Sequence, residues 1–500
     1  MVSSGRKVTS LVAVAILAIA AAIGSLACQT PGLPGEGIPT GPQFHARVFN
    51  EIIPGGFRGL SDCLICHQNI VDDLAAGGHW QWRGVASNIA GHATGFHGKR
   101  DLLNSFFIGV VSNEGRCAQC HISYGWTDRD FDFAHPAQMD CFVCHDTSGT
   151  YARHPNTGGG AASIVTGEGW RPAEPEDLVR LADLSGRPAR RNCGGCHFYA
   201  EGGDNVLHGD MSSALASPTR DTDVHMGSTA TGGKDFRCQT CHSMVGHRFA
   251  GWTLHSVAEG GAAPSCTRCH SDSSPHAGDP ALAALLNRHT ARLACELCHI
   301  PTIARQVPTL IGWYWDTAGQ DVEPIPTDAW GKPTYDKNLG TLAWAKDVAP
   351  VPRWSDGKWR RKLVGVDDTY TTAGTLGDPV VIAEPIATKG TPNAKIRPFK
   401  KMLGRQPADT VNKRLIVPHL FGGAAGPNAF WEKYDWAAAL QEGAAYSGVA
   451  YSGTYGFVNT VAYLQVNHEV PPAAQALKCE SCHRTAWHWA ALQLTDPLAN

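Results

Sequence analysis

Apolar positions are spread unevenly along this chain, and their pattern predicts few long elements. Leu11–Ile23 is an apolar run broken only by small residues and preceded by Arg6 and Lys7. It is too short and wrongly flanked for a stable membrane span, and residues 1–27 read as a secretory signal peptide. Ser25 and Ala27 put small residues where a signal peptidase reads, so cleavage before Cys28 is expected. Cys28 is then either the acylated cysteine of a membrane-anchored lipoprotein or the ordinary start of a secreted chain. Residues 28–60 form a tether, rich in Pro and Gly up to Pro42. No other stretch is long and apolar enough to span a membrane. One helix is predicted from Asp279 as N-cap and Pro280 at the first position to His289. A second is predicted after Pro427, through Phe430, Trp431, Tyr434, Trp436 and the alanine run, ending near Gly443 or Gly448. Elsewhere short helices and irregular chain are expected. The fold class is mainly α with much irregular structure.

Composition sharpens this picture. The 500 residues allow two or three domains, and 43% hydrophobic residues exclude a disordered chain. Gly 55 and Pro 31 fit a loop-rich fold, and a net charge of -3 leaves no basic footprint for nucleic acid. The informative numbers are 17 cysteines and 23 histidines.

Apart from Cys28, every cysteine falls in a Cys-x-x-Cys-His motif. The eight are Cys63/Cys66/His67, Cys117/Cys120/His121, Cys141/Cys144/His145, Cys193/Cys196/His197, Cys238/Cys241/His242, Cys266/Cys269/His270, Cys295/Cys298/His299 and Cys479/Cys482/His483. This spacing lets two thiols reach the two vinyl groups of one porphyrin while the adjacent imidazole comes up beneath the iron. Disulfides or zinc knuckles would not require a histidine directly after the second cysteine every time. Eight covalently bound c-type haems are therefore expected, attached outside the cytoplasm. The motifs have no fixed period. Seven lie in a haem domain at 61–300, the eighth in a C-terminal unit at 466–500. With so many rigid macrocycles, much apolar surface in 61–300 should be buried against porphyrin.

Removing the motif histidines leaves fifteen others to ligate the opposite faces. Methionines are few, so low-potential bis-histidine haems are expected. His289, at the end of its predicted helix, is placed to face an iron. His79, His208, His225, His247 and His468 sit beside aromatic or glycine-rich turns near a motif and are also assigned as distal ligands, with His276 and His255 behind them. His45, His135 and His488 are given no role at an iron.

The haem-free segment 301–465 has a different composition, rich in Trp and Lys, and is expected to pack on the haem core. Its cluster Arg353, Lys358, Arg360, Arg361 and Lys362 reads as a solvated basic face, with anion steering as the alternative. No phosphate loop, His-Glu-x-x-His or nucleophile elbow competes with the haems for the chemistry.

The chain resembles the octahaem tetrathionate reductase family of c-type cytochromes. The resemblance rests on the eight motifs with Gly98-Lys99, Asn113-Glu114, Tyr124-Gly125-Trp126, Phe131-Asp132-Phe133, Cys144-His145-Asp146-Thr147 and Gly149-Thr150-Tyr151. It continues in Asn192-Cys193-Gly194, His208-Gly209-Asp210, Asp223-Val224-His225-Met226, Cys298-His299-Ile300-Pro301-Thr302, Pro398-Phe399-Lys400, Pro418-His419-Leu420-Phe421-Gly422 and Tyr451-Ser452-Gly453. It implies seven bis-histidine haems around one active-site haem, the second in chain order, held by Cys117, Cys120 and His121. In the family that iron has a lysine as distal ligand. The matching place after Gly-Thr-Tyr is Ala152, followed by Arg153, which cannot coordinate iron. His154, Lys99 or an open iron remain. Lys99, Asn113, Tyr124, Asp128, Tyr151 and Arg153 are the residues placed to hold an anion or supply protons. The function expected is a periplasmic reductase of a small sulfur or nitrogen oxyanion, with a non-enzymatic electron conduit as the alternative. The partners expected are a periplasmic or membrane cytochrome or a quinol-linked electron donor, a small anionic substrate and no nucleic acid.

Overall fold

The computed structural model describes residue 45 and residues 60–498 apart from positions 93, 107–108, 154–161, 168, 250–263, 486 and 497. The signal, Cys28, most of the tether, His154 and His255 lie outside the described residues. Helix α1 (Leu60–Ala75) carries the first motif and kinks at His67. Helix α2 (Pro175–Asp183) starts with Pro at its first position, and α3 (Arg190–His197) ends on the fourth motif. Helix α4 (Pro280–His289) runs as its sequence predicts: the Asp279 carboxylate accepts from Leu282 N at 2.8 Å and closes the first turn. Five motifs sit on helices of one turn or little more, at Glu114–Cys117, Phe142–His145, Cys238–Cys241, Cys295–His299 and Cys479–Cys482.

The haem-free segment departs from the mainly α expectation. It forms a nine-stranded mixed sheet from β1 (Thr309–Tyr314), β2 (Tyr335–Asp336), β3 (Gly340–Ala345), β4 (Val351–Ser355), β5 (Trp359–Arg361), β6 (Val380–Pro385), β7 (Lys395–Asp409), β8 (Arg414–Leu415) and β9 (Tyr455–Gln465). Their order is β5-β6-β9-β7-β1-β3-β2, with β4 and β8 also paired to β7. The spine is β7 against β9, antiparallel from Phe399↔Gln465 to Asp409↔Tyr455, while β7 and β1 run parallel. Runs such as Phe457-Val458-Asn459-Thr460-Val461-Ala462-Tyr463 are β-branched and aromatic on both faces, which suits strands buried on two sides.

The predicted C-terminal helix is two helices. Tyr434 takes a left-handed φ of 53° after α5 (Phe430–Lys433), and Asp435 caps α6 (Trp436–Ser447) by accepting from Ala438 N. Gly448, at φ 70°, ends α6 where the sequence places its stop. Phe430 stacks on Trp436 with ring centroids 3.8 Å apart, and both join the core with Trp315, Met402 and Leu440. The expected basic face does not form. Arg353 and Arg360 bracket Glu384 at 2.9 and 2.5 Å, Lys362 is buried on Asp367, and Arg361 points inward, because neighbouring positions of β5 face opposite ways.

Candidate functional site

One continuous cavity of about 4130 Å³ runs through the motif region. That is several times the roughly 300–1,000 Å³ of a single small-ligand pocket. Trp313, Trp354, Arg361 and Ile396 of the sheet contribute to its wall, so the sheet backs the motifs. Seven motif histidines line it, and each faces a second imidazole. The pairs, by ring-centroid separation, are His67 with His45 at 6.5 Å, His145 with His247 at 6.1 Å, His197 with His79 at 6.3 Å and His242 with His468 at 6.2 Å. His270 with His225 at 6.3 Å, His299 with His276 at 6.1 Å and His483 with His289 at 6.3 Å complete the set. These rings are too far apart to stack. About 6 Å is the spacing of two imidazoles whose nitrogens each approach one metal to about 2 Å.

The donor chemistry fits the same group. Burial, the main cause, pushes His197 down to about 3 and His242 to about 4, and lowers His45, His67, His79, His247 and His299. Neutral imidazole is the form that ligates a metal. Several rings are oriented through the other nitrogen: His145 Nδ1 on Gly186 O at 2.8 Å, His289 Nδ1 on Leu285 O at 3.0 Å and His483 Nδ1 on Asp496 at 2.8 Å. Fifteen motif cysteines are free thiols, and no group of three or more His, Cys, Asp or Glu among the described residues is arranged for a metal ion, as a zinc knuckle would require. Burial holds Cys63 and Cys117 up at about 12 and Cys144 at about 11, so these are neutral thiols. Cys66 is disulfide-bonded.

Two distal expectations are corrected. His45, given no role, faces His67; no feature of its neighbourhood marks it except that the first motif needs a partner. His208, expected as a ligand, has no ring contact with a motif imidazole among the described residues; it lines the cavity within electrostatic reach of His197, Asp210, His468, Lys400 and Lys99, and burial takes it down to about 4. His135 is exposed on Asp132 and His488 packs on Trp487; neither has a ring contact with a motif histidine among the described residues.

The second motif stands apart. His121 is fully buried but does not line the cavity. Its Nδ1 meets Ser123 Oγ at 2.6 Å and its Nε2 meets Trp80 O at 2.5 Å. Trp80, Trp82, Trp126, Phe131 and Phe133 cage the ring at centroid distances of 4.9 to 5.8 Å. Burial is the main reason it drops to about 3. Cys117 and Cys120 do line the cavity, with Lys99, Asn113, Tyr151 and Arg153.

Arg153 donates to the carbonyls of His121, Ser123 and Gln119 and lies 3.5 Å from Asp140. Burial opposes its charge, but Asp140 carries it above the ordinary value. Tyr151 donates to Asp140 at 2.6 Å and shares a 2.8 Å hydrogen bond with Tyr124; burial, then Asp140, raises both phenols well above the usual range. Lys99 Nζ lies 2.5 Å from Asn104, and its charge reaches both second-motif thiols. Asn113 is mainly a staple, accepting from Leu420 N at 2.7 Å and donating to Pro418 O at 2.9 Å. Asp128 is no part of this group: it closes a turn on Asp130 N and Thr127 outside the cavity. Its Asp-Arg-Asp setting favours such a local turn, which is why the site expectation failed there.

Sulfur-to-sulfur proximity links the motifs. Cys63 neighbours Cys141, Cys144 neighbours Cys193, Cys193 contacts Cys238, Cys241 neighbours Cys269, Cys266 contacts Cys295, and Cys298 neighbours Cys482. The second motif joins from the side, where Cys120 contacts Cys196.

Three comparisons bear on this arrangement. The family described as bacterial cytochrome c matches residues 311–486. An uncharacterised protein of Archaeoglobus fulgidus is 22% identical over 249 residues, 41% of this chain and 80% of that protein. The crystal structure of octahaem cytochrome c from Shewanella oneidensis superposes with a TM-score of 0.78 at 34% identity, covering 91% of this chain and 98% of that one.

Proposed function

Because the chain belongs to the octahaem tetrathionate reductase family of c-type cytochromes, an electron-transfer family with covalent haem, we propose that it is a periplasmic reductase of a small sulfur or nitrogen oxyanion. It holds eight haems, seven as wires and the second as the place of reaction. The observation that carries this reading is the asymmetry of the motifs: among the described residues, which leave out His154, seven motif histidines face a partner imidazole and His121 does not. The second motif, with Lys99, Tyr151 and Arg153 lining the cavity beside Cys117 and Cys120, is suited to a small anion.

A haem held by Cys117, Cys120 and His121 would supply the redox chemistry at this place. The chain's own residues do the rest. Lys99 offers positive charge to an oxyanion, while Arg153 fixes the backbone of the second motif through the carbonyls of Gln119, His121 and Ser123. The Tyr124–Tyr151–Asp140 chain can hold and move a proton at the Tyr151 oxygen when a nitrogen oxyanion requires one. Tetrathionate needs no proton: two electrons cleave its central S–S bond and give two thiosulfates. Trp80, Trp82 and Trp126 exclude water from behind His121. The donor is a periplasmic or membrane cytochrome or a quinol-linked protein. No helix among the described residues is long and apolar enough to cross a membrane.

The test is an electron paramagnetic resonance spectrum of the oxidised holoprotein, with haem counted by pyridine haemochrome, before and after tetrathionate, nitrite or sulfite. We expect one high-spin or exchangeable component that shifts with ligand, and loss of turnover in His121→Met while the other haems stay reducible. Eight low-spin signals indifferent to all three anions would make the protein a conduit.

A further inference from the structure

Beside the second motif, the chain segment 99–105 runs along β5. Leu103 N donates to Lys362 O at 3.0 Å, Arg361 Nη2 donates to Leu103 O at 2.9 Å, and Leu102 bridges Leu363. This pairing brings Arg361, Ser105, Asn104 and Lys99 to one stretch of cavity wall, and all four line it. Arg361 is only 3% exposed, yet its Nε and Nη1 have no hydrogen-bond partner among the described residues, and neither does the buried Ser105 Oγ. A buried N–H left without a partner is costly, and more so on a charged group. Open N–H groups on a buried guanidinium are the kind of donor that binds a carboxylate or an oxyanion.

The neighbouring charges favour an anion as well. Lys99 lies on Asn104 at 2.5 Å. Lys400 adds charge from behind, its donors taken by Val206 O, Leu207 O and Thr309. Glu201 is the opposing carboxylate: its Oε1 accepts from Ser105 N at 3.1 Å, its Oε2 is unpartnered, and its charge reaches both Arg361 and Lys400. Arg361 and Lys99 against Glu201 leave this stretch positive, and Lys400, which also feels Asp210, adds its charge only below about pH 7. Arg361 also lies outside the Arg153 and Tyr151 group.

We propose that Arg361, Ser105, Lys99 and Asn104 form an anion site in the wall of the haem cavity, with the Arg361 fork as its centre. Its ligand is an oxygen anion from one of two sources: the propionate of a haem seated beside the second motif, or a free oxyanion entering the cavity. The site goes beyond the reductase reading and does not depend on which reaction the second haem carries out.

Arg361→Gln, Ser105→Ala and Lys99→Gln would be made in the holoprotein, with haem content by pyridine haemochrome as the folding control. Each would be taken through a spectroelectrochemical titration and a sulfite titration read by visible difference spectra. A propionate ligand moves one haem of Arg361→Gln to lower potential, since removing a nearby positive charge favours the oxidised form, and leaves sulfite affinity unchanged. A free oxyanion ligand weakens sulfite binding by about tenfold or more in Arg361→Gln, less in Ser105→Ala and Lys99→Gln, with every potential unchanged. Either result supports the site. If Arg361→Gln loses haem, the other two variants decide by the same readings. Wild-type potentials and wild-type sulfite affinity in fully loaded variants would overturn it, whatever the turnover assay shows.

Discussion

Lys400 is a charge in the interior: 1% exposed, with all its donors used on Val206 O, Leu207 O and Thr309 Oγ1. Burial pushes its amine down to about 7. Below that pH the folded protein holds a buried ammonium at full cost. Between there and the ordinary lysine range the unfolded chain binds more protons, so stability rises with pH. Lys400→Met should therefore be most favourable relative to wild type at pH 6. It should lose ground by about 1.4 kcal/mol per pH unit between pH 7 and 10, read from urea midpoints. A difference that does not vary with pH would show that the amine is not perturbed. At this scale the sequence was legible where chemistry fixes spacing: each Cys-x-x-Cys-His motif identifies itself. Distal partners were not, because they come from distant chain. His468 reaches His242 and His79 reaches His197, and nothing local separates His45, which faces a motif, from His208, which has no such ring contact.

Helix α6 shows how an element far from the motifs reaches the second one. A Cβ on Gly443 would sit 2.0 Å from Val417 O and 2.9 Å from His419 N, so the helix rests directly on the 417–419 backbone. That backbone is stapled to Asn113, just ahead of Cys117. Gly443→Ala should lower stability by about 1–3 kcal/mol, the range for overpacking. It should also alter the signal of the haem at the second motif while the other haem signals stay as they are. Gly448→Ala meets nothing within 4 Å but must keep φ at 70°; it should cost about 1 kcal/mol and leave every haem signal unchanged. Thermal unfolding with electron paramagnetic resonance separates the two cases, and an untouched second haem in Gly443→Ala would break the link. Capping chemistry made α4 and the end of α6 legible. The break at Tyr434 was not, since a non-glycine residue at positive φ carries no sequence signal. The sheet was legible in principle, in the period-two and β-branched runs of β1, β6 and β9; the dominance of cysteine in the composition drew the fold class towards helix.

Across the whole molecule, stability is divided between two kinds of interior. The segment with β1 to β9 has a side-chain core of Trp315, Ile382, Met402 and Phe430. Residues 264–292 are mostly exposed or half-buried and carry one helix, so their apolar surface is expected to rest on porphyrin. Replacing Cys266 and Cys269 by Ser should open this stretch to limited proteolysis while fragments of the sheet segment resist. Equal protection of both would mean that the stretch holds itself together without its haem. The order of the sulfur contacts has a separate consequence. Motifs one, three, four, five, six, seven and eight form a line, and the second hangs from the fourth through Cys120 and Cys196. It is a spur on a through line. On the proposed reading, current entering at one end leaves at the other without visiting the spur, so an inhibitor seated there would stop turnover at the second haem and leave the traffic running.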